Sequence, residues 1–85
     1  MGRHEKLIVK ILSGRQDTGV KFSELVNLLL SFGFSQRISG SHRIFYKEGV
    51  DEIINLQPEG AQAKPYQVKQ VRNIMVKYRL EEKDE

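Results

Sequence analysis

The chain has 85 residues, a formal net charge of +3, 39% hydrophobic residues and no cysteine. A domain of this length buries only roughly 60–65% of the surface that its unfolded chain exposes, which excludes a deep substrate cavity. The absence of cysteine excludes disulfides and thiolate metal ligands. The composition therefore predicts a single domain, residues 1–85, that acts at its surface on a large ligand.

The charge is unevenly distributed along the chain. Residues 81–85 hold four acids and one lysine, and the remaining residues carry 13 basic and 7 acidic side chains, a net charge of +6. A basic surface attracts polyanions, so RNA or DNA is a candidate ligand, although Lys and Arg also solvate a small domain. No segment approaches the roughly 18 apolar residues of a membrane span, and the N-terminus lacks a signal-peptide pattern. We expect a cytoplasmic protein with no membrane partner.

Two helices are predicted before any strand. Residues 4–13 have apolar side chains at helical spacing, followed by Gly14 as a stop. These apolar residues are Leu7, Ile8, Ile11 and Leu12. Residues 14–21 are turn-rich and predict a loop. A second helix is expected from Ser23, as its N-cap, to Gly33.

The pattern changes to that of strands between residues 34 and 57. Short segments rich in Ile, Phe and Tyr, separated by turns with glycine, read FSQRIS, HRIFYKE and DEIINLQ. Residues 58–64 leave the sheet, and Pro65 suits the first position of a final helix that ends near Leu80. This order predicts an α+β fold, a two-layer sandwich in which a three-stranded antiparallel sheet packs on helices.

Most kinds of chemistry find no support in the sequence. There is no glycine-rich phosphate loop and no clustered set of metal ligands, so neither a cofactor nor a metal is expected. The two histidines, His4 and His42, are 38 positions apart and do not predict a zinc site. His4 lies near the N-terminus and is expected to be an exposed surface residue.

His42 is the strongest candidate for chemistry. It follows Gly40 and Ser41, and a glycine lets a phosphate approach the backbone closely. An imidazole exchanges protons near neutral pH, and nearby cations would bind the phosphate of an RNA whose 2′-hydroxyl it activates. The candidate cations are Arg37, Arg43 and Lys47. Taken alone, these residues favour a structural or surface histidine over a catalyst.

The direction in which His42 points is left open by the sequence. Strand alternation puts His42 and Ile44 on one face and Arg43 and Phe45 on the other. If Phe45 faces the helices, His42 faces solvent, as a catalyst must. If Ile44 faces the helices, His42 lies at the edge of the core. The first arrangement turns Arg43 inward, which is unfavourable for a charged side chain.

The order of these segments resembles the HicA toxins of bacterial and archaeal toxin–antitoxin modules. The resemblance rests on LVNLLLSFGF, QRISGSHRIFYKE and VKQVRNIMVKYRL, and it covers residues 22–80. Its most specific part is the triplet Gly40-Ser41-His42, one strand after the helix exit at Gly33. The helix over 4–13 is an N-terminal addition, and 81–85 form an acidic tail.

The resemblance implies a fold like that of double-stranded-RNA-binding domains and an mRNA interferase activity, an endoribonuclease that halts translation. It also implies neutralisation by a HicB-type antitoxin that covers the histidine. The family's catalytic histidine falls on His42, with Gly40 and Ser41 completing the motif. Double-stranded-RNA-binding domains place basic residues at a helix terminus against phosphates, where this chain has Lys64 and Lys69.

Two other classes of function stay open. The first is a non-catalytic RNA-binding module of the same topology, which would bind RNA without cutting it. The second is a protein-interaction domain whose partner covers the sheet, which would account for the amphipathic helix and the acidic tail without chemistry. A salt-dependent affinity for RNA would distinguish the first from the second.

Overall fold

The computed structural model describes residues 3–82. In chain order the elements are α1 (Glu5–Ser13), α2 (Phe22–Ser31), β1 (Ser35–Ser39), β2 (His42–Lys47), β3 (Val50–Leu56), β4 (Pro58–Glu59), β5 (Gln62–Ala63) and α3 (Pro65–Tyr78). β1, β2 and β3 form an antiparallel sheet in that order. The predicted α+β sandwich is confirmed, and residues 83–85 of the expected acidic tail lie outside the described residues.

The core lies between one face of this sheet and the helices. The sheet contributes Phe45, Ile54 and Leu56, each 0% exposed. The helices contribute side chains at three- and four-residue spacing, as expected for the inner stripe of an amphipathic helix. These are Ile11 of α1, Leu25, Leu28 and Leu29 of α2, and Val68, Val71 and Met75 of α3.

The start of α2 differs from the sequence prediction. Ser23 is not its N-cap, because the helix begins at Phe22 and Lys21 precedes it without a side-chain cap. The Phe22 N–H instead donates to the Ala61 carbonyl at 3.0 Å. A backbone acceptor from another segment thus satisfies the first N–H of the helix, which has no acceptor within the helix.

Residues 58–64 leave the main sheet, as predicted, but they form a hairpin of their own. β4 and β5 pair around Gly60, whose φ is +63°. The Ala63 N–H donates to the Val20 carbonyl at 2.8 Å, which ties the hairpin to the linker before α2. Strands of two residues are too short for a sequence period to reveal. The hairpin brings the starts of α2 and α3 to one end of the sandwich.

Arg72 of α3 holds the linker between α1 and α2 in place. Its guanidinium donates to both carboxylate oxygens of Asp17, at 2.7 and 3.4 Å, and Nη1 also donates to the Ile11 carbonyl at 3.3 Å. The Arg72 and Asp17 side chains are only 16% and 22% exposed. Because water screens this pair poorly, it contributes more to stability than an exposed ion pair.

We predict that Asp17→Ala lowers the free energy of unfolding by about 1–3 kcal/mol, since Arg72 loses its charged acceptor in a half-buried position. Urea denaturation at pH 7 measures this. Glu48→Ala, in the exposed turn between β2 and β3, is the matched control and should change stability by about 0.5 kcal/mol or less. Equal effects of the two substitutions would contradict the assignment.

Glu52 joins β3 to the end of α3, far from the β1–β2 turn. Its carboxylate accepts hydrogen bonds from the Tyr78 hydroxyl at 2.6 Å and from Lys77 Nζ at 2.9 Å. The Tyr78 bond, followed by the Lys77 bond, lowers the pKa of Glu52 below its usual value of 4.5. The stability from this carboxylate is therefore present above the unfolded-state pKa and is lost as pH falls through the lower folded-state pKa.

A pH series of thermal melts tests this contribution. Below pH 4.5, the usual pKa of this carboxyl, wild-type protein should lose its stability advantage over Glu52→Gln progressively. Glu48→Gln, which changes an exposed turn carboxylate, should keep the acid dependence of the wild type. A difference between wild type and Glu52→Gln that stays constant from pH 7 to pH 3 would contradict the account.

Candidate functional site

β2 directs His42 away from the core. Phe45 is 0% exposed and Tyr46 is 49% exposed, so strand alternation puts Phe45 against the helices and His42 on the opposite face. The exposed side chains Tyr46 and Ile53 show that this face is open in the part of the chain that the structure describes. Of the two arrangements that the sequence left open, the structure has the one in which His42 faces solvent.

Arg43 tolerates its inward direction because it lies at the end of the sheet. Its guanidinium carbon is 5.9 Å from the centroid of the Phe22 ring, a cation–π distance. Nη1 also donates to Gln36 Oε1 at 3.2 Å. The side chain is half-buried, and the sheet separates it from the imidazole of His42.

Asn55 of β3 holds the imidazole of His42. Nδ1 of His42 lies 3.0 Å from Oδ1 of Asn55, and the two side chains share a face because Asn55 pairs with Ile44. A carbonyl oxygen can only accept a hydrogen bond, so a hydrogen bond here requires a proton on Nδ1. In the neutral ring Nε2 then carries the lone pair and can take a proton from a hydroxyl group.

The turn before His42 depends on Gly40. Gly40 and Ser41 connect β1 to β2, with Ser39 paired to His42. Gly40 has a φ of +61° and occupies the first central position, where type II′ hairpin turns take glycine. A Cβ at this position would meet no atom within 4 Å. The glycine therefore supplies the turn conformation and also leaves the backbone open to a ligand.

A chain of hydrogen bonds connects this turn to α3. The buried side chain of Gln67, 1% exposed, bonds to the backbone of Gln57. Its oxygen accepts the Gln57 N–H at 3.0 Å and its nitrogen donates to the Gln57 carbonyl at 3.2 Å; this orientation of the amide satisfies all four groups. Gln57 Nε2 in turn donates to the Ser41 hydroxyl at 3.4 Å, a long bond. The start of α3 is thus fixed relative to the residue before His42.

The structure brings together some of the predicted RNA-contacting cations. Arg37 pairs with Ile44 and lies on the same exposed face as His42. Lys64 directly precedes α3 and follows the β4–β5 hairpin, at the same end of the sandwich, and Lys69 is exposed in the second turn of α3. Arg37 thus shares the face of the imidazole, whereas Lys64 and Lys69 belong to the helical layer on the other side of the sheet.

Two other cations are placed differently. Arg43 is at the same end as His42 but on the inner side of the sheet. Lys47 is at the far end of β2, five residues and about 16 Å from His42. It is therefore too distant to contact the same phosphate group as the imidazole.

Sequence reasoning missed three residues of the site. Asn55 and Gln57 belong to it only through the register of β2 and β3 and the start of α3, which the sequence does not disclose. Lys21 is exposed and bridges Gln62 of the hairpin. The sequence shows that Lys21 precedes the second helix, but it does not show that Lys21 lies at the same end of the molecule as the hairpin.

Within residues 3–82, no three His, Cys, Asp or Glu side chains gather as a metal site would require, and no helix is long and apolar enough to cross a membrane.

We predict that neutral His42 is protonated at Nδ1, because Asn55 Oδ1 accepts that proton. Long-range ¹H–¹⁵N NMR spectra of the ring distinguish the two tautomers. Asn55→Ala should shift the population towards the Nε2–H form, whereas Gln36→Ala, on the other face of the sheet, should leave it unchanged. A wild-type ring protonated mainly at Nε2 would contradict the assignment.

Comparisons of the chain with models of protein families, with curated proteins and with solved structures found no match.

Proposed function

We propose that this protein is a HicA-type endoribonuclease, the mRNA interferase toxin of a type II toxin–antitoxin system, acting in the cytoplasm. The observation that carries the proposal is the setting of His42. Its Nδ1 is held by Asn55, and Nε2 has no hydrogen-bond partner among residues 3–82. An imidazole that is fixed at one nitrogen and open at the other is suited to general base catalysis.

The proposed reaction needs no metal. Nε2 of His42 takes the proton of a ribose 2′-hydroxyl, and the 2′-oxygen forms a bond to the adjacent phosphorus. The bond from phosphorus to the 5′-oxygen breaks, and that oxygen takes a proton from solvent. The products are an RNA with a 2′,3′-cyclic phosphate and an RNA with a 5′-hydroxyl.

The size of the domain supports a large substrate. The described chain spans 30 × 29 × 22 Å, and His42 lies on the surface of a sheet. A polyanionic strand brings its own binding area. Arg37, which shares the face of His42, would contact a phosphate beside the imidazole, and Lys64 and Lys69 at the start of α3 would contact the strand beyond the β1–β2 turn. Lys47 would contact a phosphate farther along the strand.

A HicB-type antitoxin is the proposed protein partner. The face that carries His42 also exposes Tyr46 and Ile53, at 49% and 64%. Large apolar side chains on an open sheet face suit a protein interface. A partner seated there would cover the imidazole and block access of RNA. The gene beside this one is expected to encode that antitoxin, and a neighbour of unrelated kind would count against the toxin assignment.

We predict that His42→Gln lowers the rate of RNA cleavage by about 10²–10⁴-fold, the usual contribution of a general base. The substitution keeps a polar side chain at a half-buried strand position that faces away from the core, so the fold should be unchanged by circular dichroism. Cleavage of labelled mRNA in the presence of EDTA measures the effect without metal.

His4→Gln is the matched control, because His4 is the chain's other histidine and its Nδ1 bonds to Glu82. The expectation that His4 is exposed was wrong, since its side chain is only 18% exposed against Glu82. This variant should cut RNA at the wild-type rate. Undiminished cleavage by His42→Gln would contradict the proposal. RNA binding without cleavage by the wild type would favour the non-catalytic RNA-binding module, and a lack of RNA affinity would favour the protein-interaction domain.

A further inference from the structure

A cleft opens on the side of the Gly40–Ser41 turn opposite to His42. Its walls are the start of α2, the β1–β2 turn and the β4–β5 hairpin, and its volume is about 450 Å³. This lies within the roughly 300–1,000 Å³ of small-molecule sites. We call it the Phe22–Arg43 cleft, after the two residues whose side chains give it its chemistry.

The walls of the cleft combine apolar surface with one positive charge. Phe22, Ile38 and Pro58 supply the apolar surface, and Ile38 is 60% exposed. Arg43 supplies the charge, and none of the lining residues is acidic. Such a lining favours a ligand that is partly apolar and carries negative charge or hydrogen-bond acceptors. Two flat groups in the cleft narrow the ligand further.

The flat groups are the Phe22 ring and the Arg43 guanidinium. They lie 5.9 Å apart, and Arg43 uses one of its five N–H donors on Gln36. Aromatic rings and guanidinium planes are the surfaces on which proteins stack unpaired RNA bases. The remaining N–H donors of Arg43 and the hydroxyls of Ser23 and Ser41 can hydrogen-bond to the edge of a base.

The position of the cleft identifies the source of such a base. Ser41 lines the cleft and is followed directly by His42, so the two sites lie on opposite sides of one turn, at residues whose Cα atoms are about 3.8 Å apart. An RNA strand that crosses this turn with a phosphate at His42 would have the adjoining nucleotide at the mouth of the cleft. Gly40, which presents no side chain, lets the strand cross the turn between the two sites.

We propose that the Phe22–Arg43 cleft binds one unpaired nucleobase of the RNA strand, next to the phosphate at which the strand is cleaved. This inference rests on the proposed ribonuclease function and adds a determinant of substrate choice. A base inside a duplex cannot enter the cleft without leaving its stack. The site therefore selects single-stranded or splayed RNA, and the base in the cleft sets a sequence preference.

The test uses strands that cannot be cleaved, so that binding is separated from catalysis. Four 2′-O-methyl hexanucleotides, each consisting of one repeated base, and an abasic hexanucleotide are titrated into ¹⁵N,¹³C-labelled protein. At least one base should shift the Ile38 methyl and Ala61 amide signals and bind about fivefold or more tightly than the abasic strand. Equal affinity of all five strands would overturn the proposal, as would the absence of shifts at Ile38 and Ala61.

Two exposed apolar residues provide a matched pair of variants. Ile38→Asp places a carboxylate in the wall of the cleft and should weaken the preferred hexanucleotide about fivefold or more. Val9→Asp changes a residue of similar exposure, 62% against 60%, on α1, which has no part in the proposed RNA site, and should keep the affinity within about twofold. Thermal melts establish that both variants fold. Equal losses of affinity in the two variants would indicate a general effect of the added charge and would overturn the proposal that the cleft binds a base.

The outcomes separate this inference from the proposed function. If cleavage depends on His42 but binding does not depend on the base, base binding in the cleft is refuted and the ribonuclease proposal is kept. Base-dependent shifts at Ile38 in a protein that does not cut RNA support the cleft and refute the ribonuclease. Failure of every strand to bind refutes both.

Discussion

The burial of Phe45 is the constraint on which the site depends. One side chain at the centre of β2 packs against the helices, and the two-residue period of the strand then fixes the direction of its neighbours. His42 must face away from the core, and Arg43 must face the inner side. The same constraint therefore separates the imidazole, on an open sheet face, from the guanidinium, in a cleft behind the turn.

Polar contacts between elements then position the side chain of His42 and the turn that precedes it. Asn55 meets His42 only because β3 pairs with β2 in one register, and Gln67 fixes the start of α3 to Gln57, which reaches Ser41. Gln67 is the one buried polar side chain among the described residues, and leaving its amide unsatisfied would be costly. The helix start, the hairpin and the turn are consequently held as one end of the molecule, where the basic residues gather.

Much of the fold follows from the sequence because its signals are local. Helical spacing identifies the three α-helices, and glycine-containing turns divide the strands of the meander. The predicted N-cap of α2 was wrong, because the helix begins one residue before Ser23, where the carbonyl of Ala61, distant in sequence, accepts the first N–H of the helix. The β4–β5 hairpin was missed for a related reason: its strands have two residues each and are held by Val20, Lys21 and Phe22 rather than by any pattern of their own.

The candidate site was only partly predictable. The triplet ending in His42 stands out in the sequence, and strand alternation reduced its direction to two choices that burial then decided. The part played by Asn55 could not be predicted, since it arises from register, and Lys47 was grouped with His42 although strand length puts it at the far end. The cleft behind the turn needs three segments that are distant in sequence to come together.

The chemical identity of the RNA ends tests the central claim most directly. If Nε2 of His42 activates a 2′-hydroxyl, wild-type protein should leave 2′,3′-cyclic phosphate and 5′-hydroxyl ends, and the same RNA treated with His42→Gln should show neither above background. Ends with a 3′-hydroxyl and a 5′-phosphate would contradict the account, because water rather than the ribose would then be the nucleophile.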